Sequence, residues 1–467
     1  MTTIISGSSP SITFSDSTTQ TTAFTSTPSV TSITTSADAS IHGLTVGLGA
    51  GAVSNNTAVG ASALSGGSLS GGRNIGIGIN AGNTISTGAQ NTFVGSYCGT
   101  GITTGTQNIG IGDGAMTGNS SNATGSYNVG VGALTALTSG ANNVGVGYQA
   151  LNANTIASNN TAVGYQALYK NTSGLTNVAM GYLAGYSNTT AGENTYIGQS
   201  AGQFMIGGPN TAIGSYALNN YGGTAANGTG TNNNAFGKNA MLFNTSGSFN
   251  VSIGDSSLFT NTTASYNTIV GFEAGKSLNG GNNVMIGYQA GQNGYGYGSS
   301  TGTNNILIGY QATVGGGNTD SNEIVITTRG NAVSGKGSNT GYIDANGGGV
   351  YQGNNSAAWS ITSDQRLKKN IVDNTDGLDK IIQIKVRNFE YRTEDEVTDL
   401  PKNQAIAKQG VQLGVIAQEL QQVLPDCVKQ ESTGVLAVDS TDIMYHMINA
   451  IKELNAEIQA LKSKVGI

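Results

Sequence analysis

The sequence is poor in charge, in cysteine and in histidine, and each shortage excludes a class of site. Charged residues make up 9% of the 467 positions, and the net charge of −6 is spread without a basic stripe, so we expect no nucleic-acid partner. Cys98 and Cys427 lie far apart, in dissimilar regions, and form neither a disulfide framework nor a CxxC pair. With only His42 and His446 beside them, we expect no zinc cluster, no other metal site and no cofactor.

Long apolar runs are missing as well. No stretch reaches the roughly 18 apolar residues of a membrane-spanning helix, so we expect no membrane insertion. The N-terminus, MTTIISGSSPSITFSDSTTQTT, lacks the basic region and apolar core of a secretory signal. We therefore expect the chain to be made in the cytoplasm and to reach its working site by another route.

Glycine is abundant, and the few charges are unevenly placed. Gly supplies 72 residues. Before Ser363 there are 9 acidic and 6 basic residues in 362 positions, whereas the last 105 positions hold 16 and 13. This break predicts two regions that fold by different means.

The main feature of the first region is an Asn-x-x-x-Gly unit that occurs 15 times. Successive glycines of these units are 15 to 23 residues apart, most often 17. The units begin at Asn56, Asn74, Asn91, Asn108, Asn128, Asn143, Asn160, Asn177, Asn194, Asn210, Asn233, Asn250, Asn267, Asn283 and Asn305.

Each position of the unit has a physical explanation, and the fullest form is NTAVGYQAL, Asn160 to Leu168. Apolar residues alternate with polar ones between the Asn and the Gly, a period of two that suits a strand with one buried face. The Gly permits a sharp turn, and stacked Asn side chains can form an amide ladder. Three residues after the Gly stands a small side chain that lets coils approach closely: Ala in 12 units, otherwise Cys98, Thr135 or Ser257. The pattern predicts a mostly β fold, a β-solenoid or β-roll of ~17-residue coils.

A coil of ~17 residues has too little apolar side chain for a core of its own, so the coils must stack. We expect a single stack to be poorly buried. Three chains packed along one axis would bury a shared Val/Ile/Ala stripe, and from this we infer a homotrimer.

These repeats resemble the β-rolls in the head domains of trimeric autotransporter adhesins and, more closely, the repeat shafts of phage and large-virus fibre proteins. The resemblance covers residues 43–327 and ends in SNEIVIT, where Asn322 opens one more unit but Ile326 stands in place of the Gly. A disordered low-complexity segment is the alternative, and the regular Val/Ile positions speak against it. Phosphate binding by motifs such as NIGIGINAG is excluded, because a motif repeated 15 times is architecture.

Two segments flank this shaft. Residues 1–42 are rich in Ser and Thr, and they form either a flexible leader or, as position favours, an attachment segment that orders on another protein. Residues 328–362 form a Gly/Asn-rich neck.

Helix formers and amphipathic patterns return in residues 363–467, which predicts a small α+β domain. We predict a short helix over Asp376–Gln383, a strand over Val386–Tyr391, and a strand that turns into a helix over Gly414–Val423. A final helix, capped by Asp439 or Ser440, runs to about Val465. It carries a heptad seam that predicts a coiled coil, with a single amphipathic core helix as the alternative: Met447, Ile451, Leu454, Ile458, Leu461 and Val465.

The segments SDQRLKKNI, VRNFEYR, GVIAQELQQVLPDCV and IKELNAEIQALK of this domain resemble, in order, the self-cleaving intramolecular chaperone of phage tailspikes and tail fibres. In that family a Ser–Lys dyad cuts the chain just before the Ser, and the chaperone trimer departs. The resemblance implies that Ser363 and Lys368 are the catalytic dyad and that the cut falls between Thr362 and Ser363.

The dyad is chemically coherent. A serine hydroxyl attacks a carbonyl only when a base removes its proton, and a neutral lysine can be that base. Arg366 and Lys369 flank Lys368, and we expect these cations to help hold its amine neutral. Five residues of separation cannot align the pair on a helix face, so the site requires a turn or a trimer.

The resemblance implies a virion fibre whose C-terminal domain drives trimerisation, with virion proteins bound at the N-terminus and a glycan or protein receptor on a host surface. A cell-surface trimeric adhesin, or a fibre that keeps its chaperone uncleaved, is the alternative. We expect no catalysis beyond one self-cleavage, because the carboxylates of the shaft are scattered, among them Asp113, Glu193, Asp255 and Glu273.

Overall fold

The chain folds into two compact units, Met1–Thr362 and Ser363–Ile467, which are described separately. The computed structural model describes residues 12–13, 19–20, 39–41, 44–118, 122–221, 228–292, 300–315, 319–345, 349–353, 359–361, 363–399, 406, 408–430 and 434–466.

The first unit is a β-solenoid in which each coil contributes one short strand to a long sheet. Neighbouring coils pair in parallel and in register, so that Thr161, Ala162 and Val163 face Val178, Ala179 and Met180 of the next coil. The predicted β-solenoid is confirmed. Its parallel strands are Thr57–Val59, Ile75–Ile77, Thr92–Val94, Ile109–Ile111, Val129–Val131, Val144–Val146, Thr161–Val163, Val178–Met180, Thr195–Ile197, Asn210–Ile213, Asn233–Phe236, Val251–Ile253, Thr268–Val270, Val284–Ile286, Ile306–Ile308, Ile324–Thr327 and Gly341–Asp344.

Antiparallel strands close both ends of this sheet, and two small sheets lie outside it. Ala39–Ile41 and Leu44–Gly47 precede the first coil, and Val350–Gln352 and Trp359–Ile361 follow the last. The sheet thus continues past Thr327 into the segment that the sequence assigns to a neck. The small sheets pair Ile12–Thr13 with Thr19–Gln20 and Ala312–Thr313 with Val333–Ser334, and a 3₁₀ turn spans Ala50–Ala52.

The repeat asparagines form the predicted amide ladder inside the solenoid. The Asn177 backbone N–H donates to Oδ1 of Asn160 at 2.9 Å, and Nδ2 of Asn177 donates to the same oxygen at 3.1 Å. Nδ2 of Asn177 also donates to the carbonyl oxygen of Ala191 at 3.0 Å. Asn194 repeats the pattern on Asn177. The buried amides of these repeat asparagines are therefore satisfied by their neighbours along the stack, as a buried polar group requires.

The repeat glycine is required for two separate reasons. Gly164 has φ +133°, a region that other residues rarely adopt, and a Cβ built on it would lie 2.5 Å from the carbonyl oxygen of Gly181. The same approach recurs up the stack, with Gly181 against the oxygen of Gly198 at 2.5 Å. The glycines thus turn each coil and let the next coil sit directly on it.

We expect Gly164→Ala to lower the free energy of unfolding by about 3 kcal/mol or more, from roughly 1–3 kcal/mol of backbone strain and a similar cost of overpacking. Thermal unfolding followed by circular dichroism measures the change. Gly67→Ala is the matched control, because a Cβ on exposed Gly67 meets nothing within 4 Å and its φ is ordinary. Equal melting temperatures for the two variants would contradict the stacking role.

The interior of the solenoid is closed within a single chain. In the coil that begins at Asn160, the side chains of Ala162, Ala167 and Leu168 are all fully buried. The expectation that one stack is poorly buried is therefore wrong for the interior. The reason is that the strand contributes only a small inward residue, and the turn after the glycine folds a small residue and a large one in from the other side.

Large and small side chains compensate each other inside the stack. Where the inward strand residue is Phe93, the ring lies against Gly99, whose Cβ would be 2.5 Å from it. Tyr196 fills the same space beside Gly202, and its hydroxyl donates to Oδ1 of Asn194 at 3.0 Å. Interior volume thus stays nearly constant from coil to coil.

In the short unit between Gly132 and Gly147, the small inward residue is not the one three positions after the glycine. The backbone of Met116 donates to Ala133, and the backbone of Leu134 to Ala150. Ala133 therefore occupies the position that the sequence assigns to Thr135, and that assignment is wrong. Gly132 accordingly has φ +62° instead of the value near +130° of most repeat glycines.

The large apolar residues just before each repeat glycine point outward. They lie on the outer side of the strand, and none of them is buried in the single chain. We call them the outer column: Val59, Ile77, Val94, Ile111, Val131, Val146, Val163, Met180, Ile197, Ile213, Phe236, Ile253, Val270, Ile286 and Ile308. The apolar stripe that the sequence predicts is thus present, but it lies on the surface of the solenoid.

A glutamate ends the asparagine ladder. Ile306 pairs with Ile324, so Glu323 follows Asn305 on the ladder and its N–H donates to Oδ1 of Asn305 at 2.9 Å. The register assigned from Asn322 and Ile326 is therefore wrong by one residue, because Thr327 faces Gly309. The buried carboxylate of Glu323 accepts from the backbone N–H groups of three residues, Gly315, Lys336 and Gly337.

The second unit is the predicted α+β domain. Helix α1 spans Leu378–Ile381, α2 spans Ala417–Gln421 and α3 spans Ser440–Val465. Its strands pair antiparallel, Arg387–Phe389 with Gln412–Gly414 and Val428–Gln430 with Leu436–Val438. Short 3₁₀ turns span Gln365–Leu367, Glu394–Glu396 and Pro425–Cys427. A small core centres on four buried residues of this unit, Leu420, Leu424, Cys427 and Val428.

Candidate functional site

Ser363 and Lys368 lie side by side at the start of the second unit. Nζ of Lys368 donates a hydrogen bond to Oγ of Ser363 at 2.7 Å. The chain achieves this with the 3₁₀ turn over Gln365–Leu367, which is capped by Asp364, whose carboxylate accepts from the Arg366 N–H at 2.8 Å. A single chain thus makes the turn that a five-residue separation requires. The catalytic roles of the two residues stay a prediction.

The charges around the pair differ from those expected. Nη2 of Arg366 lies 2.6 Å from Oδ2 of Asp364, and this hydrogen-bonded pairing holds the pKa of the Asp364 carboxyl below its usual value. The Arg366 charge is therefore compensated locally by Asp364. Lys369 is exposed to solvent.

The surroundings of the pair are open and partly apolar. Ser363 and Lys368 are both exposed, as are Leu367, Ile371 and Val372. A lysine that accepts a proton must be neutral, and removal of water favours the neutral amine. A surface that covered the three apolar residues would remove water from the dyad as well. Thr362, on the other side of the proposed cut, lies outside the described residues.

Helix α3 carries the second candidate site, an apolar seam. The helix begins at Asp439, whose carboxylate accepts from the Thr441 N–H at 3.1 Å, and ends at Gly466 with φ +76°. All six heptad residues of the seam are exposed in the single chain, from 43% at Met447 and Ile458 to 67% at Ile451. A core helix would have buried them, so the seam is an unpartnered surface.

The other side of α3 is attached to its own unit. Oε2 of Glu453 accepts from the Leu378 N–H at 2.6 Å, and Nδ2 of Asn449 donates to the carbonyl oxygen of Asn374 at 2.9 Å. Ala450, which lies between Asn449 and Glu453 in the sequence, is buried. These two polar attachments could not be predicted from the sequence, because Asn and Glu on a helix are ordinarily solvated.

Neither a metal-binding cluster nor a membrane-spanning helix occurs in the part of the chain that the structure describes. No three His, Cys, Asp or Glu side chains gather there in a metal-binding cluster. No helix among those residues is both long and apolar enough to cross a membrane.

Comparison with known proteins places a family on the second unit. Residues 363–429 match the family described as Chaperone of endosialidase. The chain is also 33% identical over 107 residues to the long tail fiber protein Gp37 of Enterobacteria phage M1, and to the same degree to that of phage Ox2. Each match covers 22% of this chain and 39% of the relative, so the chain matches well under half of their length. No solved structure matches the chain.

Proposed function

We propose that the chain is the subunit of a homotrimeric phage tail fibre that contacts a host surface. Residues 43–327 are its shaft and 328–362 its neck. Residues 363–467 are an intramolecular chaperone that aligns three chains. Residues 1–42 attach the fibre to tail or baseplate proteins, so the mature protein resides in the virion after synthesis in the host cytoplasm.

The observation that carries this proposal is the exposed seam of α3, on a unit whose first 67 residues match the chaperone family. Six apolar side chains at heptad spacing in water favour association with copies of the same helix. Three seams brought together would also bring together three shafts.

The outer column supports three-fold association of the shaft. Its position holds Val, Ile, Met or Phe in all 15 repeat units and never a polar residue. A surface this long and this uniformly apolar is costly to leave in water. The outer columns of a second and a third copy of the chain have the same length and the same spacing. Three copies would therefore cover one another's outer columns coil by coil.

The chaperone is proposed to release itself in one reaction. Oγ of Ser363 attacks the carbonyl carbon of Thr362 while Lys368 takes the hydroxyl proton. Lys368 then gives this proton to the Ser363 nitrogen as the peptide C–N bond breaks, so that the nitrogen leaves as an amine and an ester joins Thr362 to Oγ of Ser363. Water hydrolyses the ester to give residues 1–362 and 363–467. Because nucleophile and target are neighbours in one chain, proximity supplies much of the rate.

The test of trimerisation is a seam variant. In the Ser363→Ala chain, which is expected to stay intact, we expect Leu454→Asp with Ile458→Asp to convert trimers to single chains, because three buried carboxylates per layer cannot be accommodated. Sedimentation velocity measures the mass.

Asn455→Asp with Gln459→Asp is the matched control, since it adds the same charges one residue further along the same helix, at exposed positions. The control is expected to remain trimeric. If the seam variant also sediments as a trimer, the helix does not drive assembly.

A further inference from the structure

Five tyrosines lie on neighbouring coils in the middle of the shaft. Tyr148, Tyr165 and Tyr182 each follow a repeat glycine, and their rings stack with centroids 5.4 and 5.3 Å apart. Tyr169 and Tyr186, further along the same turns, stack at 5.1 Å. We call these five residues the tyrosine patch.

The two stacks are adjacent on the surface. Partial burial, and next the neighbouring phenols Tyr169 and Tyr165, raise the pKa of Tyr186 above its usual value. Nζ of Lys170 lies 5.1 Å from the centre of the Tyr186 ring, a cation–π contact.

The patch is open to solvent at its outer edge. Tyr148 is 61% exposed and Tyr182 51%, whereas Tyr165 between them is 43% exposed. The end rings therefore present more surface than the central one. Exposed aromatic groups gathered in this way mark a binding surface rather than packing.

The patch is not placed to join the copies of the trimer. The position after the repeat glycine holds Asp113, Lys238 and Asp255 in other coils, and none of these is buried. Burying such charges between copies without partners would be costly. This corner of the solenoid therefore faces solvent in the assembled fibre, in contrast to the apolar outer column.

Amide groups accompany the rings. Nε2 of Gln166 donates to Oε1 of Gln149 at 2.8 Å, which forms a row parallel to the tyrosine stack. Each amide has two donors and two acceptor lone pairs, so the row can bond to a ligand as well. The combination recurs on later coils, where Phe272, Tyr288 and Tyr310 stack and Gln311 donates to Gln289 at 2.6 Å.

Building on the proposed function, we propose that the tyrosine patch binds an uncharged linear polysaccharide of the host surface, laid along the fibre axis. Sugar rings have an apolar C–H face, which packs on tyrosine, and a hydroxyl rim, which bonds to phenol and amide groups. A surface that repeats once per coil suits a ligand that itself repeats. The charged side chain that contacts the patch, Lys170, is engaged with a tyrosine ring, which favours an uncharged ligand.

The test uses the full chain and replaces Tyr148, Tyr165 and Tyr182 together by Gln. The next coil already has Gln199 at this position, so the fold accepts the change. Retention is measured on immobilised dextran, mannan, a galactan and lipid-free bacterial O-chains. We expect the unaltered protein to be retained by at least one of them, and the triple variant to bind that polysaccharide at least tenfold more weakly.

Tyr127→Gln is the matched control, because Tyr127 is also exposed and Gln90 and Gln107 stand at its position in other units. It is expected to bind within twofold of the unaltered protein. The assignment is overturned if none of the polysaccharides retains the unaltered protein, or if the triple variant is retained equally well. It is also overturned if the triple variant no longer sediments as a trimer. An unaltered protein that sediments as single chains overturns the proposed fibre instead, and a tenfold loss in the triple variant would still support the patch.

Discussion

Replacing Ser363 with alanine is expected to hold the chain at full length, whereas the unaltered chain is expected to separate into residues 1–362 and 363–467. Without the hydroxyl that Lys368 contacts at 2.7 Å, no nucleophile remains next to the Thr362 carbonyl. We expect the cleavage rate to fall by at least about 10⁴-fold, as it does when a catalytic nucleophile is removed. Denaturing gels of heated samples and intact-mass measurement show the outcome.

Lysine variants separate the proposed base from its neighbour. Lys368→Met is expected to block cleavage as fully as Ser363→Ala, because the hydroxyl then lacks a proton acceptor. Lys369→Met, an equally exposed change one residue on, is expected to cleave at close to the normal rate. If the unaltered chain stays intact like Ser363→Ala, the peptidase assignment is lost, and the chaperone assignment survives.

The second large effect concerns how residues 1–362 are produced. Released by cleavage from a full-length trimer, they are expected to remain a trimer, because the outer columns are then already paired along the shaft. Produced directly, without residues 363–467, the same polypeptide is expected to give less than about a tenth of that trimer. Repeated coils pair out of register at little local cost, and nothing aligns them from one end. Removing the chaperone afterwards makes the product kinetically trapped.

Native mass measurement on the two preparations tests this dependence on history. Ser363→Ala, which keeps its chaperone, is the reference for a correctly aligned trimer. Equal yields of trimer from both routes would mean that the shaft aligns itself. A directly produced shaft that is well ordered and monomeric would show that the outer column needs no partner.

The solenoid could be predicted from the sequence because its most restrictive positions are chemically unambiguous. A glycine at φ +133° and an asparagine that bonds to the next asparagine leave few substitutes, so Gly164 and Asn177 stand out as repeats. It was harder to predict which strand residues point into the interior. Thr161–Ala162–Val163 holds two apolar residues in succession, so the alternation leaves open which of them faces inward, and Ala162 is the buried one. Volume decides this, since Leu168 fills the space from the opposite side.

One of the two candidate sites could be predicted from the sequence pattern, and the other could not. The seam of α3 follows from spacing alone, and its exposure agrees with the coiled-coil prediction. An offset of five residues from Ser363 to Lys368 indicates nothing by spacing, and only the family resemblance singled the two residues out. Asp364 caps the turn that brings Ser363 and Lys368 together, and it also pairs with Arg366. Both contacts depend on local backbone geometry, which could not be predicted from the sequence.

The carboxylate of Glu323 also bears on how long the fibre can become. An asparagine ladder with an open last rung is a template onto which another molecule could add end to end, as exposed strand edges do. The Glu323 carboxylate accepts hydrogen bonds from the backbone N–H groups that fold over it. Its side chain has no amide N–H that could donate to a further asparagine of the ladder. In the proposed fibre, end-to-end addition at this rung is thereby disfavoured, and the number of coils encoded in the chain sets the length of the shaft.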